Sequence, residues 1–172
     1  MTNISRRTAL LGGAAAAALP AFGAAHAAAP PVGKQNAGFY RYKVGDIEVT
    51  VVTDGSNTFK FADSHVANKT RDDLNKALEA AHQPKDLMTT PYNPIVVNTS
   101  GKLVVIDTGT GEAAYERSKD VTGQFQNNLK AAGIDRNAVD MVVISHFHGD
   151  HINGLITPDK KLAYPNLSLI HI

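Results

Sequence analysis

A chain of 172 residues is long enough for one domain core and little more. Its 17 Lys and Arg nearly balance 16 Asp and Glu, with no basic run and no interleaving of aromatic and basic residues, which argues against nucleic acid as a partner. The absence of cysteine excludes disulfides, thiolate metal sites, iron–sulfur clusters and thiol catalysis.

Residues 1–27 read as a twin-arginine-type signal peptide. Ser5-Arg6-Arg7-Thr8-Ala9-Leu10-Leu11 resembles a twin-arginine export motif, with Ala9 and Leu11 where Phe and Lys are common. An alanine-rich apolar run follows and ends at Ala25-His26-Ala27, an Ala-x-Ala cleavage site, so His26 is a leader residue and no ligand. Gly12, Gly13, Pro20 and Gly23 interrupt the run, which speaks against a membrane anchor. Without Arg6 and Arg7, the 17 basic residues fall to 15 against 16 acidic ones. The expected location is periplasmic or secreted, with no stable membrane insertion once the leader is gone. Residues 28–38 form a Pro/Gly/Ala linker.

In chain order, Tyr40 to Val44 and Ile47 to Asp54 alternate as a hairpin turned by Gly45-Asp46, and Asp54-Gly55-Ser56-Asn57 closes it as a turn. Phe59 to Asn68 has no clear pattern. Phe59 and Phe61 are assigned to core packing over a substrate mouth, and His65 to a solvated loop. Asp72 to His82 reads as a helix with Leu74, Ala77, Leu78 and Ala81 on one face and His82 in its last turn. Ile95 to Val97 and Leu103 to Ile106 form a second hairpin turned by Ser100-Gly101. Val104, Val105 and Ile106 are apolar on both faces, which predicts a strand inside a covered sheet. Thr122 is the expected cap of a helix that carries Phe125 and Leu129 and ends at Gly133. Asp135 to Val139 is a short turn or helix. Met141-Val142-Val143-Ile144 then reads as a buried strand.

That strand runs into Ser145-His146-Phe147-His148-Gly149-Asp150-His151. Imidazoles and carboxylates are ligands that zinc and its neighbours prefer. In extended chain the side-chain period is two, so His146 and His148 project the same way and form a pair of donors. Gly149 allows a sharp turn, after which Asp150 and His151 leave on another bearing, available to a second ion. Two ions about 3.5–4 Å apart share a water and clamp attacking and leaving oxygens. The alternative is a polar loop whose histidines bond only to backbone. No Gly-x-Ser-x-Gly elbow is present, so no serine nucleophile is expected.

His-x-His-x-Asp-His after an apolar strand resembles the signature of the metallo-β-lactamase superfamily of hydrolases. Asn93-Pro94-Ile95-Val96-Val97-Asn98, Lys102 to Gly109 with its Asp107-Thr108-Gly109, and Asn128 to Ile134 with Val139-Asp140 resemble the strands and helix leading to that motif. The likeness runs from about Phe39 to Pro165. It implies an α/β fold, the N-terminal half of a four-layer αβ/βα metallo-β-lactamase sandwich, with residues 39–166 as a C-terminally truncated domain. It implies that His146 and His148 hold one divalent ion and Asp150 and His151 another. Asp107 would orient a ligand from behind; a strand-end turn aspartate is its other reading. Zinc is the first expectation for both ions, with manganese, iron and cobalt as alternatives.

Gly38-Phe39-Tyr40-Arg41-Tyr42, Gly45 to Val49 and Asp54-Gly55 are similar to the lactonase and methyl-parathion-hydrolase-like branch, in which Pro often stands at the position of Gly149. The redox branch usually has Glu at the position of His148. The resemblance implies a hydrolase in which a metal-bridged hydroxide cleaves a small ester-like substrate (a lactone, a phosphotriester or a β-lactam), with Asp150 also accepting a proton. The family's second half supplies three further ligands. Beyond His151, Asp159 comes too soon to be one of them, and His171 is the only later histidine and is not counted. The competing expectation is therefore an inactive truncated fragment with weak or no metal binding. Leu167-Ser168-Leu169-Ile170-His171-Ile172 is what CTG-TCT-CTT-ATA-CAC-ATC would encode, a string matching a transposon-end adapter used in sequencing libraries. Residues 167–172 are expected to be adapter-derived, with native sequence ending near Asn166; a genuine alternating strand is the other reading. Nothing in the sequence sets the oligomeric state.

Overall fold

The computed structural model describes Val32, Gly33 and residues 35–167. The expected leader with His26, and Ser168 to Ile172 with His171, lie outside the described residues. The chain divides into Met1–Gln35 and Asn36–Ile172, and every described helix and strand belongs to the second unit.

Among the described residues, seven strands and four α-helices make a mixed α/β fold, as expected. Strand β1 (Phe39–Val44) pairs antiparallel with β2 (Ile47–Val52) in the register Tyr42↔Val49, and Gly45 takes the positive φ of 61° that the tight turn requires. Strand β2 pairs with β5 (Ile95–Thr99), which pairs with β6 (Lys102–Ile106), both antiparallel. Strand β6 then pairs in parallel with β7 (Met141–Val143), giving the order β1-β2-β5-β6-β7. A parallel neighbour needs a long crossover. Helices α2 (Glu112–Ser118) and α3 (Phe125–Ala131) lie within it. Asp140 staples the returning strand to β6: its carboxylate accepts from Leu103 N at 2.8 Å and Lys102 Nζ at 2.9 Å.

The strand period of two divides the sheet into unequal faces. Val52, Val96 and Val105 are buried together with Phe125 and Leu129 of α3 and with Val139, Ala163 and Tyr164. Tyr164 is seated by Gln126, whose amide donates to its hydroxyl at 2.9 Å. On the other face Val104 and Ile106 are only half-buried, and Met141 and Val143 are exposed. The sheet is thus covered on one face by described residues, whereas the apolar pattern of β6 predicts cover on both.

Several elements differ from the sequence reading. Gly55 to Asn57 is the start of a strand, β3 (Gly55–Lys60), which pairs with β4 (Leu87–Tyr92) as a separate two-stranded ribbon. Glycine, serine and asparagine in β3 and Pro91 in β4 hide both strands from a propensity argument; a ribbon outside the main sheet tolerates a proline that a central strand would not. Helix α1 (Arg71–Ala80) starts at Thr70, whose hydroxyl accepts from Asp73 N at 3.1 Å, and it buries no residue. His82 lies past its end with φ of 56°, not in its last turn. His65 is exposed, with Phe59 and Phe61 edge-on to its ring at 5.8 and 5.9 Å. Helix α2 has no counterpart in the expected elements. Helix α3 begins at Phe125 and not at Thr122, because its N-terminal donor is satisfied by a residue far away in sequence, Asp54.

Candidate metal centre

Three chain segments meet at the ends of β6 and β7. Strand β6 leads into Asp107, whose φ of 61° is a left-handed conformation that aspartate tolerates, and whose N–H still donates to Val143 O at 2.9 Å. The turn aims the Asp107 carboxylate across the strand end. Ser145 N donates to its Oδ1 at 2.8 Å, and Ser145 Oγ to its Oδ2 at 2.7 Å. The next residues carry the histidines. His148 precedes the short helix α4 (Gly149–Ile152) and offers its carbonyl to His151 N at 3.0 Å.

Helix α4 is locked against the loop after β6. Thr108 N and Thr108 Oγ1 both donate to His151 O at 2.8 Å. Gly154 lies so close that a Cβ there would stand 2.0 Å from Thr108 O, a distance only glycine permits. The loop itself is held by Asp54, which is fully buried at the end of β2. Its Oδ2 accepts from Thr110 N at 2.8 Å and Thr110 Oγ1 at 2.7 Å, and its Oδ1 from Phe125 N at 3.0 Å. One carboxylate therefore joins β2, the Asp107-to-Thr110 loop and the start of α3.

The result is a cluster of imidazoles. The His146 and His148 ring centroids are 4.6 Å apart, and those of His146 and His151 are 3.8 Å apart. His151 Nε2 lies 3.3 Å from Asp150 Oδ2. His151 Nδ1 faces Asp107 Oδ2 at 2.8 Å. An ionised carboxylate only accepts, so Nδ1 carries the proton and Nε2 keeps its lone pair for a ligand. Ser145 Oγ is also 3.2 Å from the Nδ1 atoms of both His146 and His151. Having given its single proton to Asp107, this hydroxyl accepts from an imidazole N–H, which leaves the His146 Nε2 lone pair free in the same way. Partial burial pushes the Asp107 carboxyl up, but the Ser145 backbone, His151 and Ser145 side-chain hydrogen bonds outweigh it and hold the group below the usual carboxylate value.

All four candidate ligands thus fall in one locality, with Asp107 behind His151. Their donor chemistry, imidazole nitrogen and carboxylate oxygen without sulfur, fits a divalent cation. Among the described residues, however, no group of three or more His, Asp or Glu side chains is arranged to hold one ion. His146, Phe147 and His148 are exposed, so the cluster is open on that side. Sequence reasoning gave Ser145 no role of its own at the site and read Asp54 only as part of a turn. The first was legible only as the residue between strand and motif, and the second only through contacts more than fifty residues away.

Two cavities adjoin the region. One of about 240 Å³ is bounded by Asp107, Asp150 and His151 on one side and by Thr90, Tyr92, Asn93 and their flanking prolines on the other. A larger one of about 680 Å³ lies between α2 and residues 152–167, and none of the candidate ligands lines it.

The sequence profile of the Metallo-beta-lactamase superfamily matches residues 88–162, which span β4 to the segment after α4. No curated protein sequence matches the chain. Among solved structures, AidC, a dizinc quorum-quenching lactonase in complex with a product, N-hexanoyl-L-homoserine, is 30% identical with a TM-score of 0.69; the match covers 76% of this chain and 43% of that one. The hydrolase AbOPH of the beta lactamase superfamily is 28% identical with a TM-score of 0.66, over 78% of this chain and 44% of that one. A probable metal-dependent hydrolase from Staphylococcus aureus, 20% identical with a TM-score of 0.58, shares the fold. The chain spans less than half the length of each of these proteins. The matched profile and these hydrolase neighbours agree with the α/β sheet: the described residues are similar to the metallo-β-lactamase superfamily over residues 88–162 and have the architecture of half of that fold.

Proposed function

We propose that the full-length protein is a binuclear metal-dependent hydrolase of ester-like bonds, and that His146, His148, Asp150 and His151 are four of its ligands. The observation that carries this reading is the convergence of three imidazoles at the end of β7, with the His151 Nδ1 proton bound by Asp107 at 2.8 Å. A bound pair of divalent cations would supply Lewis acidity and a water whose pKa is lowered toward 7. The chain's own residues prepare that chemistry. Asp107 and Ser145 set the ring orientations of His146 and His151 and direct their Nε2 lone pairs outward. Asp150, a ligand, is also the group that takes up a proton as the scissile bond breaks. Zinc is the first choice of ion, supported by the dizinc lactonase neighbour, and manganese, iron and cobalt suit the same donors. The substrate is a small ester-like molecule (a lactone, a phosphotriester or a β-lactam), and the branch is that of lactonases and methyl-parathion-hydrolase-like enzymes. The remaining ligands come from outside the described residues.

Stripping the full-length protein with a chelator is expected to lower turnover on a panel of lactones, phosphotriesters and β-lactams at least about 100-fold, and re-addition of zinc, manganese, iron or cobalt to restore it. Indifference to chelation, or no turnover with any of the four metals, would overturn the reading. The 172-residue chain alone is expected to take up zinc far more weakly than the full-length protein, because among the described residues no three donors close on one ion.

We also propose export through the twin-arginine route to the periplasm or beyond, supported by Ser5-Arg6-Arg7 and Ala25-His26-Ala27. Replacing Arg6 and Arg7 by lysine is expected to leave the protein uncleaved in the cytoplasmic fraction, and an unchanged distribution on cell fractionation would sink the proposal.

A further inference from the structure

The residues facing the candidate ligands across the smaller cavity form a corner built for rigidity. Pro91-Tyr92-Asn93-Pro94 joins β4 to β5. Each proline fixes its own φ and confines the residue before it to extended conformations, so Thr90 and Asn93 have little freedom. The backbone of the corner is also bonded to the end of β2. Tyr92 O accepts from Asp54 N at 2.8 Å and from Thr53 Oγ1 at 3.4 Å, and Pro94 O accepts from Val52 N at 2.9 Å. Tyr92 stands opposite Gly55 in the β3–β4 ribbon. A half-buried tyrosine held this firmly, beside a cavity of about 240 Å³ whose far wall is Asp107, Asp150 and His151, has a cost in exposed apolar surface and no core to fill.

We propose that Tyr92 contacts the substrate, its phenol hydroxyl donating a hydrogen bond to an oxygen of the ester-like group that lies against Asp150 and His151. The inference rests on the hydrolase reading above and adds to it a specificity-determining residue from the β3–β4 ribbon. A phenol carries its proton at neutral pH and can donate a hydrogen bond. Tyr92 precedes the Asp107-Thr108-Gly109 and histidine motifs by a full strand pair, and only the folded corner brings it to them.

The test is the Tyr92→Phe variant of the full-length, zinc-loaded protein, assayed on the substrate of the panel that the wild type cleaves fastest. The ring, and with it any packing role, is kept and only the hydroxyl is lost. KM is expected to rise about 10-fold with kcat within about twofold of wild type, the signature of a lost contact made equally in ground and transition states. Zinc content and melting temperature are expected to stay unchanged. A KM within twofold of wild type overturns the proposal, as does a loss of bound zinc or of melting temperature that accompanies the change in KM. A wild type without metal-dependent turnover on any member of the panel overturns the hydrolase reading and this proposal with it. An active wild type matched by Tyr92→Phe overturns this proposal alone.

Discussion

Asp54→Ala is expected to destabilise the protein by about 3–5 kcal/mol, read as a lowered urea midpoint at unchanged slope. The carboxylate is fully buried and accepts from two backbone amides, Thr110 N and Phe125 N, and from the Thr110 hydroxyl. Alanine leaves both amides without an acceptor, and an unsatisfied buried donor costs about 1–3 kcal/mol. The hydroxyl can rotate and so adds less. Removing a buried charge gives back part of the loss, which is why the expected total stays below the sum of three full penalties. A stability of about 5–15 kcal/mol is usual for a domain, so this single change consumes much of it. Gly109 reports the same tight fit from the other side, since a Cβ at that position would stand 2.6 Å from Asp54 Cγ. Asp54→Asn keeps one oxygen acceptor and is expected to fall between alanine and wild type. A midpoint for Asp54→Ala equal to that of wild type would show that the network does not hold the loop, and with it the placement of Asp107.

His148→Ala is expected to do the opposite: to leave stability within about 0.5 kcal/mol of wild type while lowering turnover of the full-length protein more than about 100-fold and reducing its bound metal. The side chain is exposed, and although His148 precedes α4 it makes no side-chain capping bond, so nothing in the fold depends on it. Its ring lies 4.6 Å from that of His146, in an exposed position that packing does not explain and the proposed metal ligation would. Measuring metal content, turnover and the urea midpoint on one preparation separates the two roles. Retention of both metal and turnover would remove His148 from the proposed ligand set. In the proposed reading both residues serve the same site, Asp54 by holding a loop and His148 by offering a lone pair.

Several elements follow from local sequence. The β1–β2 and β5–β6 hairpins follow from alternation and from turn residues next to them, and α3 follows from Phe125 and Leu129 one helical turn apart, with Gly133 beyond its end at φ of 76°. The His146 and His148 rings lie 4.6 Å apart, edge to face, in the loop after β7, whose last strand residue is Val143. The ribbon of β3 and β4 was not legible. Its strands have turn-like and proline-containing sequences, and each is a strand only because the other is opposite it. Helix α2 is only seven residues long and follows a glycine, so no periodicity announces it.

The amino-acid order alone determined the kinds of donor, their spacing along one strand end, and the absence of thiol chemistry, because these depend on residue identity and on the local period of the backbone. Only the tertiary structure decided which groups stand behind and across from those donors. Asp54 reaches Phe125 across 71 positions, Asp107 meets His151 across 44, and the prolines around Tyr92 turn a distant ribbon into the opposite wall of a cavity. The physical reason is that a hydrogen bond between remote segments leaves no periodic trace in either one. Each partner shows an ordinary local sequence, and the pairing exists only once the sheet has brought the strand ends together.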